Sequence, residues 1–158
     1  MDVTELTAAY RQLLVAAEAI SADTPLDAET RDDVDWRLCH IALADRIIAN
    51  AAREQLSGHT AVVDNQPSMD PDRIASMIST STHPQRIDNV RRNWAELRTL
   101  IETYSSLDAQ AQLKLRMHDR NGEYVSDSVM SWATLIEMRT RQHIPGHQAA
   151  LANALPTL

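Results

Sequence analysis

Between Ile87 and Tyr104 apolar residues recur at spacings of three and four: Ile87, Val90, Trp94, Leu97, Ile101 and Tyr104. Only a helix puts such positions on one face, and five turns of it need an equally long partner to cover that face. Asp88, Arg91, Arg92, Glu96, Arg98 and Glu102 fill much of the remainder, as a solvated face requires. The spacing predicts a helix beginning near Pro84, with Trp94 and Tyr104 packed in the core and not offered to a ligand. Such a chain is committed to packing helix on helix.

Partners for this helix are legible on both sides of it. Leu6, Tyr10, Leu13, Ala17 and Ile20 predict a first helix from Asp2 or Thr4 to Ile20, stopped by Pro25 and the polar residues before it. A second is expected from Asp27 to Leu56, with Trp36, His40, Leu43, Ile47 and Ala51 as its inward stripe and Gly58 beyond its end. Its opening turns carry Asp27, Glu29, Asp32, Asp33 and Asp35. Acidic groups there cap the helix and compensate its dipole, a commoner role than metal binding. Thr60 to Pro84 reads as irregular, broken by Pro67, Pro71 and Pro84, with one short helix from Asp70 to Ser79. A connection of this length either lines a site or loops over the surface.

The pattern changes after Leu107. Leu113 to Met117 alternate with period two, Asn121-Gly122 is a hairpin signal, and Glu123 to Val125 supply a returning strand. Ser126-Asp127 then predicts the cap of a last helix whose inward stripe is Val129, Trp132, Ile136, Thr140, His143, His147 and Leu151. The expectation is an all-α single domain over residues 1–158: a four-helix bundle with a short extra helix and a small β-hairpin before the last helix.

Composition narrows the function. A formal charge of −7 disfavours nucleic acid as a partner, since phosphates require clustered cations. No apolar run reaches the ~18 residues of a membrane span, and the first residues lack the pattern of a signal peptide. The lone Cys39 has no disulfide partner within the chain. A cytoplasmic protein acting on a small-molecule substrate is expected. With glycine only at Gly58, Gly122 and Gly146, no glycine-rich phosphate loop can form.

The remaining chemistry lies in histidines. His143 and His147 are four apart, so on a helix their Cβ atoms lie roughly 6 Å apart on one face. His40 faces inward on the second helix and supplies a third imidazole. Three imidazoles suit Zn, Ni, Fe or Cu and leave a coordination position open. Pro145 stands between the pair, and a kink or stop there would decide whether they converge. His59 and His83 read as surface residues. His118, near the hairpin tip, is a candidate for the site mouth. Cys39 points about 100° away from His40 around the helix. A helical interaction or stress protein with structural histidines, and a hydrolase using a metal-bound water, are the alternatives.

These residues also carry a resemblance. Trp36, His40, Ile41, Ala42, Asp45 and Arg46 resemble the second-helix motif of the DinB-like (YfiT-like) metalloenzyme superfamily. The stretch from His143 to Leu151, with its His143/His147 pair four apart, is similar to its last-helix motif, though Ala149 and Ala150 depart from the usual Gln before the Leu. The segment from Met117 to Gly122, followed by Trp132, resembles the mycothiol-dependent maleylpyruvate isomerase-like branch. The resemblance implies an up-down-down-up four-helix bundle, often dimeric, with a divalent metal (Zn, Ni or Fe) on His40, His143 and His147. It also implies a thiol S-transferase or isomerase using mycothiol or another low-molecular-weight thiol. Arg46 and Arg139, near the ligands on their helices, are candidates to pair with a substrate carboxylate.

Overall fold

In a computed structural model that describes residues 1–155, the longest element is helix α2 (Ala28–Leu56). It starts where the sequence places a cap: the Asp27 carboxylate accepts from the Thr30 N–H at 2.7 Å. Helix α1 (Thr4–Glu18) precedes it. The first strand of a mixed sheet and two short helices come after it: β1 (Val62–Asp64), α3 (Gln66–Met69) and α4 (Pro71–Ser79). Next come α5 (His83–Glu102), α6 (Ser106–Gln110), β2 (Gln112–His118) and β3 (Tyr124–Ser131). The last helical run is α7 (Trp132–Met138), a π-helical turn (Arg139–His143) and α8 (Ile144–Ala154).

The core forms where α5 lies along α2 and α1 lies against α8 and α5. Trp94 and Tyr104 are buried as expected: Trp94 stacks on Tyr10 at 4.0 Å, and Tyr104 meets Trp132 edge-on at 5.3 Å. The deepest stripe of α2 is Val34, Leu38, Ile41, Asp45, Ile48 and Ala52, a three-four repeat that carries one charge. The expected stripe lies beside it, with Trp36 and Ile47 half-buried and His40, Leu43 and Ala51 buried.

The four-helix bundle is not what forms. Counting Trp132–Ala154 as one run, the described residues hold seven helices and a three-stranded sheet. The segment expected to be irregular makes elements of its own. β1 pairs parallel with β2, where the Lys114 N–H donates to the Ala61 carbonyl (3.0 Å) and the Asn65 N–H to that of Arg116 (3.1 Å). Three residues whose partner lies about fifty positions on leave no periodic trace and no turn signal.

The hairpin is also longer than expected. Asn121-Gly122 does form its turn, with Gly122 at φ +83°. The returning strand runs to Ser131, so Ser126-Asp127 is strand and not a helix cap; Ser131 caps the last run instead, its side chain accepting from the Thr134 N–H at 3.1 Å. Val129, expected inward on a helix, is 69% exposed on β3. The alternation Val125, Asp127, Val129 is what the solvent face of a strand shows, with Leu113 and Leu115 of β2 buried on the other face.

His83 is a further correction. The Thr82–Gln85 capping box starts α5 one residue early and turns the His83 ring inward, its Nε2 3.0 Å from the Ala17 carbonyl and its Nδ1 3.7 Å from Asp35. Arg86 closes this cluster with an ion pair to Asp35 at 2.8 Å. Among the described residues no helix is long and apolar enough to cross a membrane.

Candidate metal centre

Pro145 does not end the last helix. Its missing N–H and bulky ring fall at the start of α8, and the turn before it widens: the Ile144 N–H donates to the Arg139 carbonyl, five residues back. This one-residue slip sets the phase of α8. The buried positions run Trp132, Leu135, Ile136, Arg139 and then, across the wide turn, Ile144 and Leu151. His143 and His147 are left facing α2.

There they meet His40. One ring nitrogen from each of His40, His143 and His147 lies within 4.8 Å of the others. Ring centroids are 5.4 Å apart for His40–His143, 5.2 Å for His40–His147 and 4.7 Å for His143–His147. His40 Nε2 and His143 Nε2 are 3.2 Å apart, close to the about 3.3 Å that two ligands of a tetrahedral ion with ~2.0–2.1 Å bonds would show.

The hydrogen bonds fix part of the proton placement. His40 Nδ1 faces the Ser68 carbonyl at 2.8 Å, which can only accept. The proton is therefore on Nδ1, and Nε2 presents a lone pair to the other two rings. His147 Nδ1 lies 3.1 Å from the Arg37 guanidinium, which can only donate. His143 Nδ1 is buried and has no partner among the described residues. Burial, then neighbouring arginines and, for His143 and His147, the neighbouring imidazoles, hold all three rings neutral. His40 is pushed down to about 4 and His147 to about 3, and His143 also falls well below its ordinary value. Neutral imidazoles are the form that binds metal.

The ring of His40 is held from behind as well. Trp36 stacks on it at 4.7 Å, nearly parallel, and the Arg120 guanidinium of the hairpin tip covers the other side of Trp36 at 4.0 Å. Asp33 joins Arg120 (2.8 Å) to Arg37 (2.6 Å), so the hairpin and the first turns of α2 form one charged frame beside His147.

Other expected site residues fare differently. Arg139 lies at the cavity wall but is buried and already neutralised: it donates to Asp45 and, at 2.6 Å, to the Tyr10 hydroxyl. Burial pushes the Asp45 carboxyl up to about 6, with Arg139 and Tyr10 opposing, so it is ionised at neutral pH. Arg46 is exposed and away from the site, because six positions from His40 at ~100° each turn it some 120° off that face. His118 ends β2 with its N–H on the Asn65 side chain at 2.6 Å, outside the cavity wall. Cys39 packs with Leu43 and Ile74.

Ser68, Arg37 and Arg120 are the contributors that sequence patterns did not single out. Ser68 acts through its carbonyl, which no residue-type signal can reveal. Asp45 and Arg139 did carry one: a charge at an apolar-stripe spacing requires a buried partner. Beside His40 and His143 opens a cavity of about 330 Å³. No protein-family model, curated protein or solved structure matches the chain.

Proposed function

We propose that the chain is a metal-dependent enzyme, with one divalent ion (Zn, Ni or Fe) on His40, His143 and His147 and a low-molecular-weight thiol of the mycothiol kind as cosubstrate in an S-transfer or isomerisation. One observation carries the metal half: three neutral imidazoles from two helices, His40 buried and His143 and His147 half-buried, offer ring nitrogens within 4.8 Å of one another. When bound, such an ion supplies the Lewis acidity that favours the ionised form of a thiol or a water at neutral pH.

The chain's own residues orient and shield. The Ser68 carbonyl fixes the His40 tautomer, and the Trp36–Arg120 stack fixes its ring plane. Tyr10, Asp45 and Arg139 anchor the wide turn from which His143 projects.

The thiol half rests on the likeness of Trp36–Arg46 and His143–Leu151 to DinB-like motifs. Protein loaded with zinc or nickel, given an electrophile with and without mycothiol, tests it. Turnover is expected to need both metal and thiol. Metal-dependent turnover that proceeds equally without thiol would replace the transferase with a hydrolase.

A further inference from the structure

The cavity beside the histidines has walls unlike its mouth. Ile47, Ile48, Val63, Leu115, Leu135 and Met138 supply most of its surface. At about 330 Å³ it is at the small end of the range for small-molecule sites.

Its polar side chains are almost all engaged by the protein itself. Asn65 gives its amide N–H to the His118 carbonyl (3.2 Å) and takes the His118 N–H on its oxygen (2.6 Å). The Ser68 hydroxyl donates to the Asn65 carbonyl at 2.8 Å, and the Ser68 carbonyl is taken by His40. Arg139 is held by Asp45 and Tyr10. What remains for a ligand is the imidazole pair at one end and the Gln142 amide, exposed at the rim. A hydroxylated ligand would give up its water there and find no replacement donors or acceptors. An apolar body would gain from leaving water.

We infer that this cavity binds a small molecule with an aliphatic or single-ring aromatic body and one metal-binding head directed at His40 and His143. This deepens the metal-site proposal and rests on it. Polyhydroxylated molecules are excluded from the cavity. The cavity is left to the second, apolar reactant.

Calorimetric titration tests this with three probes: benzyl mercaptan (apolar body, thiol head), thioglycerol (hydroxylated body, thiol head) and toluene (no head). Each is titrated into zinc-loaded and into chelator-stripped protein. Zinc-loaded protein is expected to bind benzyl mercaptan at least ten-fold more tightly than thioglycerol, and toluene is expected to bind with or without zinc. Ala44→Leu, which fills the cavity, should weaken benzyl mercaptan and toluene ten-fold or more at unchanged zinc content. Met138→Trp blocks the same space from a rim position that is 38% exposed, and so tolerates substitution if Ala44→Leu misfolds. Equal affinity for benzyl mercaptan and thioglycerol, or indifference of toluene to both variants, would overturn the inference. If zinc is bound but adds nothing to benzyl mercaptan binding, the head-group half of the inference is overturned; if the protein takes up no zinc at all, it is the metal-site proposal that fails, and toluene alone then decides the apolar cavity.

Discussion

Removing the Asp45 carboxylate should be among the most damaging single changes in the chain. Its side chain has no solvent exposure, and the Arg139 side chain it faces is 5% exposed. One carboxylate oxygen accepts from both the Tyr10 hydroxyl, at 2.5 Å, and Arg139. Helix α1, helix α2 and the π turn therefore meet at a single buried charge. Asp45→Ala leaves the guanidinium in the core with only the Tyr10 hydroxyl. Breaking a buried pair this way costs about 3–5 kcal/mol, because the remaining ion keeps its desolvation penalty. For a chain of this size that is a fall in Tm of roughly 6–20 °C. Urea denaturation followed by circular dichroism measures it. The double variant Asp45→Leu/Arg139→Met should recover most of the loss, since the unpaired charge goes with its partner. A loss below about 1 kcal/mol in Asp45→Ala, or a double variant no better than the single, would refute the burial-and-pairing argument.

Three further outcomes are expected. Chelator-stripped protein should lose stability as pH falls from about 6.5 to about 4. The histidines are depressed when folded, so the unfolded chain binds more protons there, at about 1.4 kcal/mol per pH unit for each group. Asp45, raised to about 6, acts in the opposite sense but is one group against three; denaturation midpoints flat across this range would count against neutral buried rings. Arg37→Met should tighten zinc binding about five-fold by freeing His147 Nδ1 and removing a nearby cation, worth about 1 kcal/mol at this partly exposed site; a competition titration showing weaker binding would mean that Arg37 supports the centre. Gly122→Ala should cost roughly 1 kcal/mol, because φ is +83° and the added carbon would lie 3.3 Å from the Pro71 ring; an unchanged urea midpoint would show that the hairpin tip is not held against α4.

What was legible in the sequence was periodic. The α5 stripe, the Tyr10 stripe and the inward face at His40 come from spacing alone, and the Asn121-Gly122 turn from its chemistry. Three imidazoles could be placed on two facing helices because each sits at a stripe position. The sheet was harder. β1 is too short for alternation to register, and Ser126-Asp127 offers the same residue types to a strand as to a cap. The π turn was hidden too, for Pro145 announces a disturbance without saying whether the helix stops or widens. Arg46 went astray because proximity along a helix is not proximity around it.

The most direct test of the three-histidine centre is elemental analysis of untagged protein purified at pH 8 without chelators, so that the imidazoles stay neutral. About one zinc, nickel or iron per chain is expected, lost in both His40→Ala and His143→Ala while the helical signal persists. Stoichiometric metal retained in either variant, or no uptake by the wild-type chain from added zinc or nickel, would contradict it.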